Sequence, residues 1–126
     1  MGDKYILEAK KIISGYGKIQ ILFEPSIAVN KGSIIGIIGP NGSGKSTLLK
    51  AIYGLIPVWS GVVSFDGEDV SNTKPSEKLR MGTSYLAQRH SVFPDLTVEE
   101  NLKMGIWILR HKEDVVREKI EDVYTK

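Results

Sequence analysis

Apolar residues come in short runs separated by turn-forming residues through the first seventy positions, and at helical spacing through the last thirty. The first pattern predicts strands and the second predicts helices. Residues 5–13 read as a strand that ends at Ser14-Gly15-Tyr16-Gly17, and residues 26–29 as a second, closed by Asn30-Lys31-Gly32. Ser33-Ile34-Ile35-Gly36-Ile37-Ile38 is apolar almost throughout, the pattern of a strand buried on both faces of a parallel sheet. A glycine-rich loop follows, then a helix over 47–53 that stops at Gly54. Residues 61–65 and 69–70 flank Asp66-Gly67, a strong hairpin dipeptide. A short helix over 75–80 opens on Pro75, and residues 83–86 read as one more strand. Thr97-Val98-Glu99-Glu100 has the form of a capping box. Beyond it Val98, Leu102, Ile106, Leu109, Val116, Ile120 and Val123 make one apolar helical stripe, interrupted near Arg110-His111-Lys112. Glu113 and Arg117, then Arg117 and Glu121, stand four apart on the solvent side.

Composition narrows the class. The 126 residues are 41% hydrophobic and 25% charged, ordinary for a globular domain and unlike a disordered or fibrous chain. With no cysteine there is no disulfide framework, thiolate nucleophile or Cys-built zinc site. No apolar run approaches the ~20 residues that span a bilayer, and no leader-like apolar stretch opens the chain. Lys and Arg total 17 against 15 Asp and Glu, a net +2. No dense basic run occurs, so a nucleic-acid partner is not expected.

The chemistry is concentrated in Gly39-Pro40-Asn41-Gly42-Ser43-Gly44-Lys45-Ser46-Thr47, which fits G-x-x-x-x-G-K-[ST] between an apolar run and a helix. A triphosphate carries its negative charge on the β- and γ-phosphates. Backbone N–H groups can wrap them only where side chains are small, which accounts for Gly39, Gly42 and Gly44. The helix that starts near Ser46 adds the positive end of its dipole. Lys45 supplies a mobile point charge for the β- and γ-oxygens, and Ser46 a hydroxyl for Mg²⁺, a hard cation that takes oxygen ligands. Thr47 either meets the α-phosphate side or packs locally.

In wording, this loop resembles the ATP-binding cassette of ABC transporters, and the resemblance extends along the chain. Tyr16, in Gly15-Tyr16-Gly17, reads from position alone as an ordinary strand-end aromatic; it is similar to the family's aromatic loop, whose ring stacks on adenine. Gly54-Leu55, Ser60-Gly61 and Asp66-Gly67 resemble the cassette's β-rich stretch. Gln88, after Ser84-Tyr85-Leu86-Ala87, resembles the Q-loop glutamine that contacts Mg²⁺ and the attacking water and senses the membrane subunit. Neither His90 nor His111 follows an apolar strand, so neither matches the family's switch histidine. Gly15 to Gln20 and Val92 to Leu102 resemble the ATPase subunits of branched-chain amino-acid importers, and the lipopolysaccharide-export ATPase shares much of the second segment. Ala87-Gln88-Arg89-His90 departs from the importers' Gln-Gly-Arg wording.

The resemblance implies an α/β fold: a P-loop NTPase-type sheet with an antiparallel β subdomain, followed by the start of a helical subdomain. Residues 1–88 would form the nucleotide-binding core and 89–126 the Q-loop and the first helices, an incomplete cassette. It implies ATP and Mg²⁺ as cofactors. Gly39, Asn41, Gly42, Ser43, Gly44, Lys45, Ser46 and Thr47 would bind phosphates, Tyr16 adenine, and Ser46 and Gln88 the metal, with Lys45 and Gln88 in the catalytic roles. The implied partners are a transmembrane permease and a second cassette subunit, at the cytoplasmic face of the cell membrane. The family's acidic strand ending in Asp-Glu and its Leu-Ser-Gly-Gly-Gln-like signature have no counterpart here. Val62 to Glu68 is the nearest imitation, and Asp66-Gly67 there reads better as a turn. The resemblance therefore implies an ATP-binding subunit of an ABC transporter, or a fragment of one, that binds Mg-ATP to drive solute transport, amino acids among the candidates, with no turnover by this chain alone. The alternatives are a nucleotide-binding module without hydrolysis and a non-transport cassette ATPase.

Overall fold

A computed structural model describes residues 5–89 and 91–126, so the opening tetrapeptide and His90 lie outside it. The chain divides into two compact units, Met1–Tyr85 and Leu86–Lys126.

The first unit is built on an antiparallel sheet. Strand β1 (Leu7–Tyr16) runs through its middle, with β2 (Ile19–Phe23) and β3 (Ile27–Val29) on one edge and β4 (Ser60–Phe65) on the other; β5 (Glu68–Asp69) extends β4. β2 pairs with the far end of β1, where Tyr16 faces Ile19, and β3 with the near end, where Leu7 faces Val29. Two irregularities bend β1. Its pairing with β4 shifts register between Lys10 and Ile13, where Lys11 takes φ 51°, and its pairing with β2 shifts between Ser14 and Gly15. At the first, Gly61 has φ 96°, and a Cβ there would lie 2.4 Å from the Lys11 carbonyl oxygen, so only glycine fits. Asp66 and Gly67 both adopt positive φ in the β4–β5 turn, the geometry the Asp-Gly pair predicts.

Helix α1 (Lys45–Tyr53) packs its Leu48, Ala51 and Ile52 against Ala9, Ile12, Leu22, Val63 and Val70 of the sheet side, and these eight make the core. Gly54 ends the helix in the left-handed conformation, its N–H returning to Lys50 and Ala51 carbonyls. Fully buried Ser14 donates to the Pro57 carbonyl at 2.6 Å, tying β1 to the chain that leaves α1. Helix α2 (Pro75–Arg80) brings in Lys78, only 3% exposed, whose ammonium donates to the Ile52 carbonyl at 2.7 Å in the last turn of α1. Burial pushes the Lys78 pKa below its ordinary value of 10.5. The unfolded chain then binds a proton that the folded one releases sooner, so stability gains from Lys78 as pH rises toward 10.5. Melting Lys78→Met beside the wild type across pH 8–11 should show this rise flattened in the variant; parallel curves would contradict it.

The strand expected to end at Ser14 runs on to Tyr16, and in three further places the strand expectations and the structure part company. Residues 33–38 form no strand: Ile34 and Ile38 are 99% and 96% exposed, and only Ile37 reaches the core. A parallel strand takes its hydrogen bonds from neighbours on both edges, and among the described residues every ladder is antiparallel and none runs beside this segment. Residues 83–86 likewise form no strand. Conversely, β2 has no counterpart among the predicted strands. Its signal was a two-residue turn, Gly17-Lys18, with Gly17 at φ 60° between two apolar runs.

The second unit is helical: α3 (Val98–Gly105), a 3₁₀ turn (Trp107–Leu109) and α4 (Glu113–Tyr124). The interruption falls where the charged triplet predicted it. The Thr97 hydroxyl accepts from the Glu100 N–H at 3.1 Å, while the Glu100 carboxylate accepts from the Thr97 N–H at 2.9 Å. Asn101 fastens the preceding loop to α3, accepting from the Phe93 N–H and donating to the Phe93, Leu96 and Thr97 carbonyls. The helical ion pairs are Lys103–Glu99 and Lys126–Asp122, both exposed, rather than pairs through Arg117. The Thr97 N–H, and then the Thr97 side chain, hold the Glu100 carboxyl below the usual carboxylate range. Replacing Thr97 with alanine should weaken α3 by about 1 kcal/mol. The residue-97 N–H that chiefly lowers the Glu100 pKa remains in the alanine variant, and the hydroxyl bond that is lost accepts from a backbone N–H that does not titrate, so most of the wild-type advantage should persist as pH falls. Helical circular dichroism followed from pH 7 to pH 2 in both proteins checks the magnitude and the persistence.

Candidate functional site

The site grows from the turn between residue 38 and α1. Gly42 and Gly44 take φ 84° and 95°, left-handed positions that swing consecutive N–H groups to one side. The loop closes on itself where the Ser43 N–H donates to the Pro40 carbonyl at 3.2 Å. At Gly39 a Cβ would stand 2.8 Å from the Ser43 hydroxyl, and at Gly44 one would stand 3.2 Å from Leu22. These two glycines let the loop fold tightly against its own far side and against β2. Helix α1 begins at Lys45, and its first intrahelical return is the Leu48 N–H to the Gly44 carbonyl at 2.8 Å. The N–H groups of Lys45, Ser46 and Thr47 are thus the unpaired donors of a helix N-terminus. No acidic residue stands in that first turn to neutralise them. Curled backbone, free donors and a helix dipole together make an anion cradle.

The side chains complete it. Lys45 folds back over the loop, its ammonium donating to the carbonyls of Gly39 and Pro40, the latter at 3.0 Å. It stands over the cradle and needs only to exchange those carbonyls for anionic oxygens. Asn41, Ser43 and Ser46 are not buried, and the Ser46 hydroxyl has no partner among the described residues, so its lone pairs are available to a hard cation. Among the described residues no group of three His, Asp or Glu side chains could hold a metal by itself, so a cation here would depend on Ser46 together with the oxygens of its ligand.

Tyr16 comes from a different element and arrives at the same helix. The end of β1 lays its ring beside α1, the phenol 3.4 Å from the Thr47 hydroxyl and the Lys50 ammonium 5.8 Å from the ring centroid. Tyr16 as a residue stays 44% exposed, whereas Thr47 is buried. The structure therefore gathers residues 39–47 and Tyr16 in one place. It also reveals Lys50, which no motif marks; its only sequence signal is its place one helical turn beyond Thr47. Gln88 is exposed and belongs to the second unit. His111 is exposed.

A profile described as ABC transporter matches residues 22–126. The "Probable branched-chain amino acid transport ATP-binding protein LivF" of Archaeoglobus fulgidus is 41% identical over 116 residues, covering 92% of this chain and 48% of that protein. The high-affinity branched-chain amino acid transport ATP-binding protein BraG of Pseudomonas aeruginosa is 41% identical over 100 residues, 79% of this chain and 43% of that one. Among solved structures, a nucleotide-free ATP-binding cassette from an ABC transporter superposes with TM-score 0.74 at 40% identity, covering 80% of this chain and 40% of that chain. A second cassette, in its ADP conformation, gives TM-score 0.74 at 38% identity, covering 82% of this chain and 41% of that one. The chain thus spans under half the length of the curated relatives it matches.

Proposed function

Since the chain belongs to the ABC transporter family, we propose that it forms the nucleotide-binding front of a cassette subunit whose ATP-driven closure powers solute transport. The cradle of free N–H groups under Lys45 is the observation that carries this reading. In it, the N–H groups of the loop and of Lys45, Ser46 and Thr47 hold the β-phosphate, with Gly39, Asn41, Gly42, Ser43 and Gly44 shaping the wall. Lys45 leaves its two carbonyls to meet the β- and γ-oxygens. Mg²⁺, when bound, neutralises phosphate charge and takes the Ser46 hydroxyl as a ligand. Tyr16 offers its exposed face to adenine, a contact worth about 1–3 kcal/mol. Gln88 would, on the family resemblance, serve as a further oxygen ligand for the metal and as the link to the membrane partner.

Two relatives are named for branched-chain amino acid transport, and on that ground an amino acid is the proposed solute, with a transmembrane permease and a second cassette subunit as partners. Among the described residues no helix is long and apolar enough to cross a membrane, which agrees with a subunit docked on a permease at the inner membrane face. The sequence of this chain holds neither the Asp-Glu strand nor the Ser-Gly-Gly signature, so turnover requires groups from elsewhere.

Titrating the chain with a fluorescent adenine nucleotide in Mg²⁺ should give saturable binding with little phosphate release. A folded sample that takes up none, or sustained hydrolysis abolished by Lys45→Ala, would overturn the respective half of the proposal.

A further inference from the structure

Tyr16 is held by two side chains of one helix face. Thr47 and Lys50 stand three apart on α1, hence one above the other. The Thr47 hydroxyl is 3.4 Å from the phenol and the Lys50 ammonium 5.8 Å from the ring centroid. A tyrosine at a strand end turns freely about χ1 unless packing stops it. Here the phenol is tethered at its tip and a cation stands over the ring, while the residue as a whole stays exposed. Thr47 also belongs to the turn whose N–H groups make the anion cradle, and Lys50 follows one turn later on the same rigid helix. The aromatic platform and the cradle are therefore registered to each other through α1 and not through a flexible loop.

We propose that Lys50 is a positioning residue for base recognition: it presets the Tyr16 ring at a fixed distance from the phosphate cradle, so that a nucleotide meets both without first ordering the ring. This rests on the nucleotide reading above. Lys50 touches neither phosphate nor base in this role, so its loss should affect only ligands that carry a base. No acidic side chain pairs with Lys50 among the ion pairs of the described residues, which leaves its charge directed at the ring.

The test compares ADP with inorganic pyrophosphate, both with Mg²⁺, on the intact chain. Lys50→Met keeps the aliphatic stem and removes the charge; Lys50→Arg keeps a cation that can lie over a ring. The expected result is a two- to fivefold weaker ADP affinity in Lys50→Met, unchanged pyrophosphate affinity, and recovery of ADP affinity in Lys50→Arg. Equal losses for both ligands would make Lys50 a plain electrostatic contributor and overturn the proposal, as would unchanged ADP affinity in Lys50→Met. If the wild type binds neither ligand, the nucleotide reading itself fails. If it binds pyrophosphate as tightly as ADP, the cradle stands and the proposal for Lys50 is refuted. A melting temperature matched between variants excludes a loss through unfolding.

Discussion

Replacing Gly15 with alanine is expected to unfold the β1–β2 edge, and with it much of the first unit. Gly15 pairs with Gln20 beside the register shift in β1, and a Cβ there would lie 1.9 Å from the Ile19 carbonyl oxygen and 2.8 Å from its carbon. Both atoms are backbone, so no side chain can rotate away. Relief requires β2 to move, and β2 supplies Leu22 to the core and the wall against which Gly44 is packed. Overpacking against rigid atoms costs about 3 kcal/mol or more, a large share of a small domain's stability. The melting temperature of the unit should fall by more than about 10 °C. Gly17→Ala is the control. Gly17 has φ 60°, but nothing lies within 4 Å of the place its methyl group would take, so alanine there brings only the left-handed penalty of about 1–2 kcal/mol. If Gly15→Ala melts no lower than Gly17→Ala, the described β1–β2 register is wrong.

The second large effect concerns binding and not folding. Lys45→Ala should lower Mg-nucleotide affinity at least about tenfold while leaving the melting curve nearly unchanged. In the structure the Lys45 ammonium donates to the Gly39 and Pro40 carbonyls of its own loop, so its removal strips little from the fold. Toward a phosphate the same ammonium forms charge-assisted hydrogen bonds, each worth about 1.5–3 kcal/mol, or about ten- to a hundredfold in affinity. Lys45→Arg should not restore binding, because a planar guanidinium needs more room than a compact ammonium on a flexible stem. Raising ionic strength should weaken the wild type more than the alanine variant. Fluorescence titration at two salt concentrations reads all three. Unchanged affinity in the alanine variant would remove the phosphate role from Lys45.

Local chemistry makes much of this molecule legible from the chain alone. The Asp66-Gly67 turn, Pro75 opening α2, Gly54 closing α1 and the Thr97–Glu100 capping box each depend on residues within four positions of one another, and the sequence sets such residues side by side. The loop over residues 39–47 belongs with them, since its glycines, lysine and hydroxyls fall within nine consecutive residues. Pairing is different in kind. Nothing in Ser33 to Ile38 distinguishes a strand with two neighbours from an extended segment with none, because hydrogen-bond partners are set by what lies alongside in space. For the same reason the ladder between Tyr16 and Ile19, the burial of Lys78 under the end of α1, and the meeting of Tyr16 with Thr47 and Lys50 from distant parts of the chain came only with the tertiary structure. The sequence set the glycines, lysine and hydroxyls of residues 39–47 side by side; packing against α1 decided that Tyr16 and Lys50 stand beside them.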